Sequence, residues 1–379
     1  MKFTFNRIFF LVFTVLWSAF ILWNLITPAK VFSENENRYL AAIPEFTFDK
    51  FIKGDYMNGI NDYINDQFVL RDDWISIKTM LERVMLKQDI NSVYFAKDGY
   101  LIEKHTDKEV SEQLAEKNKE YLVQFVDKYI SKLGKDRVKA ILVPTASEIL
   151  TDKLPLFATG YDQNKYMDKL MASLPEGTFL DLRDTLMKHK NEYIYYRTDH
   201  HWTALGAYYS YEHWCKETGI KPLKKEQFDI ILATDEFYGT LHSKVNVKVK
   251  PDEIYLYQMK EDMDYQLLYN LTDKTNSLYD YSKLKGKDKY SVYMGGNNPV
   301  VEIETNNKNG RKLLVIKDSF AHSFVPFVVN HFEKTYMIDF RYFNGSMEAY
   351  VEENGITDVL VLYNTMSFVK DDFLAKLIK

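Results

Sequence analysis

Five consecutive residues, Thr198-Asp199-His200-His201-Trp202, place a carboxylate, two imidazoles and an indole on one short segment of a chain with only eight histidines. Much later comes Lys317-Asp318-Ser319-Phe320, a serine where an apolar strand pattern gives way to a helical one. Together these stretches supply a hydroxyl, an imidazole and a carboxylate, the three groups of a serine nucleophile site. In that chemistry the imidazole takes the hydroxyl proton, and the carboxylate sets the tautomer of the imidazole and stabilises its charged form. In an extended segment, residues two apart share a side, with Cα atoms about 6.6 Å apart. Asp199 and His201 are therefore expected to face one way, and His200 and Trp202 the other.

Each group also has a plainer use. Asp199 and His201 could form a structural pair capping the helix that opens at Thr203-Ala204-Leu205-Gly206-Ala207, and the two histidines with Asp199 could hold a metal. No carboxylate-rich or Cys cluster accompanies them, so no metal centre and no cofactor are expected. Ser319 or Asp318 could be simply an N-cap. A serine at a helix N-terminus also lies where backbone N–H groups and the helix dipole favour a developing negative charge. His322 would share a helical face with Ser319 and is a rival base. The Asp199–His201 pairing is the better unit because it brings its own orienting acid. Phe320, His322 and the turn residues Gly296 and Asn297 are the further candidates for oxyanion or substrate contact.

The elements that must bring these residues together can be read from apolar runs. Ala140-Ile141-Leu142-Val143, Phe179-Leu180-Asp181-Leu182, Leu313-Leu314-Val315-Ile316, Tyr336-Met337-Ile338 and Val359-Leu360-Val361-Leu362 suit strands buried on both faces. With helices between them they predict an α/β fold with a doubly wound, mostly parallel sheet. Active sites in such folds gather at the carboxyl ends of strands, where Ser319 stands. Val110, Leu114, Tyr121, Leu122, Phe125 and Tyr129 mark one face of a long helix that Gly134 ends. The stretch from Phe228 to Pro299, rich in Tyr, Asp, Lys and Asn, breaks the alternation and predicts an inserted β-rich segment or lid. Upstream, Ile60, Ile64, Phe68, Trp74, Ile77, Leu81 and Val84 recur at helical spacing, and Tyr94 to Ile102 reads as a hairpin about Lys97-Asp98-Gly99.

Three regions result: 1–30, a cytoplasmic tip and membrane anchor; 31–106, a polar linker with helices and the hairpin; and 107–379, the α/β domain with its insertion at about 228–299. The linker includes Ser33-Glu34-Asn35-Glu36-Asn37-Arg38. Ile8 to Ile26 is almost unbroken apolar sequence, enough to cross a hydrocarbon core of about 30 Å. Lys2 and Arg7 precede it, which predicts that the chain after Lys30 lies outside the cytoplasm; a cleaved signal peptide is the competing reading. The net charge of −5 argues against nucleic acid, which needs a basic surface. The single cysteine, Cys215, excludes an intrachain disulfide and reads as a small buried hydrophobe.

Thr198 to Thr203, followed by Gly206-Ala207 on a helix, resembles the bacterial DHHW family. More distantly it is similar to extracytoplasmic alginate O-acetyltransferase proteins, whose domain is related to the SGNH hydrolases. The likeness runs over nearly the whole chain, through Glu36-Asn37-Arg38, Asn65-Asp66-Gln67-Phe68 with Arg71, Lys97-Asp98-Gly99-Tyr100-Leu101, Phe237-Tyr238-Gly239-Thr240 and Lys317-Asp318-Ser319-Phe320. The resemblance implies an SGNH-like domain with Asp199 as acid, His201 as base and Ser319 as nucleophile. Lys317 departs from the pattern, since SGNH enzymes often carry Gly-Asp before the serine. It further implies acetyl transfer to a cell-envelope or secreted polysaccharide, with a membrane-bound O-acyltransferase supplying the acetyl group. A carbohydrate esterase would use the same residues with water as acceptor, and a non-catalytic envelope scaffold would keep only the fold.

Overall fold

The computed structural model describes residues 2–33 and 38–379. Glu34 to Asn37 of the expected linker, with the Glu36-Asn37 part of the resemblance, lie outside the described residues. Two compact units divide the chain: Met1–Lys87 with Ser243–Lys248, and Gln88–His242 with Val249–Lys379.

In the smaller unit the apolar run folds as the helix Lys2–Ile26. Its segment Thr4–Ile26 is long and apolar enough to cross a membrane. The helical spacing upstream of the hairpin resolves into two helices, Asp55–Gln67 and Arg71–Val84. Val69 N–H donates to Asn24 Oδ1, and Gln67 bonds the backbone of Lys30, tying these helices to the end of the apolar one.

The larger unit is mixed α/β. Its seven-stranded sheet is built from β1 Val138–Val143, β2 Tyr265–Tyr269, β3 Asp273–Thr275, β4 Val300–Thr305, β5 Lys312–Lys317, β6 Lys334–Ile338 and β7 Asp358–Asn364. The spatial order is β3-β2-β4-β6-β5-β7-β1. Strands β6, β5, β7 and β1 pair in parallel, whereas β4, β2 and β3 are added antiparallel. The sheet is thus mixed, a correction to the mostly parallel expectation. The reason lies in the segment read as an insertion: β2 and β3 come from it and extend the main sheet through β4. Within that segment, Phe228–Phe237 and Asp252–Met259 form a separate antiparallel pair. The run Phe179 to Leu182 contributes a single parallel bridge, Ala140 to Phe179, rather than a strand.

Successive side chains of a strand point to opposite faces, so the unbroken apolar runs bury both. Ile141, Val143, Leu313, Val315, Leu360 and Leu362 pack on one side with α3 Ala204–Thr218 and α4 Ala321–Val328. Val138, Leu142, Leu314, Ile316, Val359 and Val361 pack on the other with α1 Glu112–Leu133, α2 Gln163–Ser173, α5 Met347–Asn354 and α6 Thr365–Lys370. Cys215 is a buried member of the first cluster, as its setting in an apolar helix predicts. The hairpin packs there too, through Tyr94, Tyr100 and Ile102.

Candidate active site

Ser319 is placed by a strand-to-helix turn. Strand β5 ends at Lys317 and α4 begins at Ala321, leaving Asp318-Ser319-Phe320 as the crossing. Asp318 braces that crossing. Its buried carboxylate accepts from Phe320 N–H at 2.9 Å and from Asn364 N–H, at the end of β7, at 2.8 Å. The Ser319 hydroxyl makes no capping bond to the helix and donates instead to His201 Nε2 at 2.7 Å.

His201 and Asp199 sit on a bend, not on the extended segment expected. Asp199 Oδ1 accepts from the N–H of His201 at 3.0 Å and from His201 Nδ1–H at 2.5 Å, which curls the chain as an aspartate-led turn does. The bend also brings His200 to the same side as His201, with ring centroids 3.9 Å apart, instead of turning it away. Asp199 Oδ2 accepts from Thr240 N–H at 2.8 Å and Thr240 Oγ1–H at 3.1 Å, so four donors surround a carboxylate only 3% exposed. Burial alone would raise its pKa, but His200, His201 and these hydrogen bonds outweigh it and hold Asp199 well below the usual carboxylate range. Burial and the neighbouring His200 push His201 down to about 4, against the pull of Asp199, so its ring is neutral at neutral pH. A neutral ring donating from Nδ1 must accept at Nε2. The arrangement is a relay: Ser319 to His201 to Asp199.

Several further residues hold this relay. Tyr290 stacks on the His201 ring at 3.8 Å and donates its hydroxyl to Ser319 O at 3.1 Å. Trp202 Nε1–H donates to Phe320 O, linking the histidine segment to the serine turn. Asp252 gathers the chain just before the relay, accepting from Arg197 N–H at 2.8 Å and from Thr198 N–H at 2.7 Å. Gly239 is required by close approach, because a Cβ there would overlap Asp199. Gly239, Thr240, Asp252 and Tyr290 all come from the stretch read as a lid, which builds the site as well as flanking it. Only Phe237-Tyr238-Gly239-Thr240 carried a signal in the sequence.

A model of the DHHW protein family matches residues 112–338. The chain belongs to the DHHW family. Comparison with curated proteins found no match. Among solved structures, this DHHW protein is similar to a DHHW family protein from Eubacterium siraeum DSM 15702, with 27% identity and a TM-score of 0.63 over 76% of this chain and 96% of that one. It is also similar to PatB1 of Bacillus cereus, at 18% identity and a TM-score of 0.62 over 73% of this chain and 97% of that one. A PatB1 structure with a sulfonyl adduct matches at 18% identity and a TM-score of 0.59, covering 74% and 98%. The PatB1 likeness is one of fold.

In this DHHW protein the other residues flagged by sequence are engaged elsewhere. Phe320 N–H is taken by Asp318. Gly296 N–H donates to Tyr293 O, and Asn297 Oδ1 accepts from Arg341 Nη2 at 3.0 Å. His322 is buried and accepts at Nε2 from Lys317 Nζ at 2.8 Å, which removes it as a rival base. Burial and the Lys317 ammonium hold its pKa well below the usual imidazole value. Asp199, His200 and His201 offer metal-ligating atoms within 4.8 Å of one another. A metal bound through His201 Nδ1 would displace the Asp199–His201 bond.

Lys317, the departure from the SGNH pattern, is 1% exposed and donates to Asp339 Oδ2 at 3.0 Å. Arg341 also bonds Asp339, from Nε at 2.9 Å and Nη2 at 2.6 Å. Removing one partner of a buried pair leaves the other charge uncompensated, at a cost of about 3–5 kcal/mol. Asp339→Ala is expected to destabilise the protein by that amount in a denaturant titration. A change below about 0.5 kcal/mol, the range of surface substitutions, would show that the lysine does not depend on this partner.

Proposed function

We propose that this protein is a membrane-anchored, extracytoplasmic O-acetyltransferase with an SGNH-like domain, acting on a cell-envelope or secreted polysaccharide. The observation that carries the reading is the 2.7 Å approach of His201 Nε2 to Ser319 Oγ, with Nδ1 of the same ring held by a buried carboxylate. Ser319 Oγ attacks the acetyl carbonyl as its proton passes to His201, and Asp199 stabilises the imidazolium. Ser319 N–H, which makes no hydrogen bond among the described residues, is the donor offered to the oxyanion. The leaving group departs with the proton from His201, leaving an acetyl-serine. A sugar hydroxyl then attacks that ester, giving its proton to His201, and Ser319 recovers it as the acetylated sugar leaves.

The acetyl group and its delivery by a membrane-bound O-acyltransferase rest on the motif resemblance, and the anchor on the helix Lys2–Ile26 and its basic flank. Mass spectrometry after incubation with an activated acetyl ester is expected to find one acetyl group on the peptide holding Ser319, and added oligosaccharide to remove it as a sugar ester. Free acetate with no sugar ester would assign an esterase instead. An acetyl group that persists in Ser319→Ala would reject this nucleophile.

The neutral state of His201 sets the pH dependence. The base form is required, and its pKa is pushed down to about 4. The rate of serine acetylation, as kcat/KM, is expected to hold level from neutral pH down to about pH 4 and to fall tenfold per unit below it. An acid limb centred near the ordinary imidazole value would show that the free enzyme keeps His201 charged at mildly acidic pH.

A further inference from the structure

The helix Arg71–Val84 turns its apolar side outward. Trp74, Ile77, Leu81 and Val84 form one stripe at helical spacing and are between 47% and 71% exposed. Thr79, the buried residue of this helix, is polar and lies on the opposite side. The backbone is held on that side too, where Asn246 Nδ2 donates to Asp72 O at 2.9 Å. A surface helix of a globular domain normally has the reverse arrangement, with its apolar stripe against the core. An apolar face left outward over several turns marks a surface that meets protein or lipid.

The way the helix starts points to lipid. Val69 N–H donates to Asn24 Oδ1 at 3.0 Å, and Phe68 meets Phe20 edge-on with ring centroids 5.5 Å apart. Asn24 and Phe20 belong to the apolar helix, about 3 Å and about 9 Å before its end at Ile26. The segment Thr4–Ile26 is about 34 Å long, slightly more than a hydrocarbon core of about 30 Å. In a spanning helix, Phe68 and Val69 are therefore fixed where acyl chains give way to headgroups. The stripe begins about one turn later with Trp74, and indole rings favour this boundary layer. Met80, also exposed, widens the apolar arc to about 120° at about 100° per residue, broader than the narrow seam by which two helices pair. Arg71, Lys78 and Arg83 are matched in number by Asp72, Asp73 and Glu82, so the attraction to a bilayer is apolar rather than ionic.

We propose that the helix Arg71–Val84 lies in the outer surface of the bilayer with this stripe among the acyl chains, a second membrane attachment beside the anchor. The assignment rests on the membrane-anchored reading of Lys2–Ile26 and adds a lipid contact to it. Full-length protein in neutral phosphatidylcholine vesicles tests it, with Leu81→Cys, Val84→Cys or Arg83→Cys labelled by an environment-sensitive fluorophore. Cys215, the native thiol, is buried, and wild-type protein taken through the labelling is the blank. Lipids spin-labelled near the headgroup end of the acyl chain are expected to quench Leu81 and Val84 several-fold more than Arg83, about 160° around the helix from Leu81. Iodide in the water should give the reverse order. A label at Leu16→Cys, within the anchor, is read in parallel. Leu16 shielded from iodide while Leu81 and Val84 stay open to it overturns the lipid contact and leaves the anchor standing. Leu16, Leu81 and Val84 all open to iodide overturns the anchor and the contact together. Leu16 open to iodide while Leu81 is quenched by lipid overturns the spanning anchor and keeps the contact. Leu81 shielded from both quenchers, with self-quenching between labelled copies, places a second copy of the chain on the stripe and overturns the lipid contact.

Discussion

Ser319→Ala is expected to lower the rate of acetyl transfer by about a millionfold, and His201→Ala by nearly as much. The double variant should be scarcely worse than either. In the proposed mechanism the hydroxyl and the imidazole act through one shared proton at the 2.7 Å contact, so removing either partner would remove the step. Pre-steady-state release of the leaving group from an activated acetyl ester measures this directly. Multiplying losses in the double variant would mean that the two side chains serve separate functions, and a Ser319→Ala protein retaining a sizeable part of the wild-type burst would remove the serine from the mechanism. The envelope-scaffold reading predicts that none of these changes alters phenotype or partner binding.

Asp199→Asn is expected to cost about ten-thousandfold in kcat/KM while leaving the fold in place. The present carboxylate accepts from all four of its neighbours: His201 N–H and Nδ1–H at one oxygen, Thr240 N–H and Oγ1–H at the other. An asparagine has only one oxygen to offer and must set its amide hydrogens against one of those pairs. Facing His201, the amide turns the imidazole into the tautomer that accepts at Nδ1 and carries its hydrogen at Nε2, toward the serine, where it cannot take a proton. Nitrogen NMR of the His201 ring, read alongside the kinetics, separates this cause from simple misfolding. A large rate loss with the wild-type tautomer intact would contradict it.

The chemical groups and the end of the sheet that holds them were legible in the chain because they depend on local signals. Leu313 to Ile316 is apolar at every position, so it reads as a strand buried on both faces, and a serine just beyond such a strand falls at its carboxyl end. The mixed sheet was not legible. The pairing of Tyr265–Tyr269 with Val300–Thr305 joins stretches far apart in the chain, and its tyrosine-rich pattern equally suits a separate hairpin. The orientation of His200 was misread for a local reason: period-two alternation holds only for extended backbone, and Asp199 bends the backbone by bonding the N–H two residues on.

What the amino-acid order determined by itself is therefore an apolar N-terminal helix, an α/β layer pattern, and a carboxylate, an imidazole and a hydroxyl on two short stretches of chain. Tertiary structure alone decided that Tyr290 clamps the imidazole, that Thr240 and Asp252 brace the acid-bearing bend, and that Lys317 is buried against Asp339. Secondary structure is written in side-chain periodicity, which any short window of sequence contains. Hydrogen-bond partners across a folded interior are chosen by packing, and no short window contains both ends of such a bond.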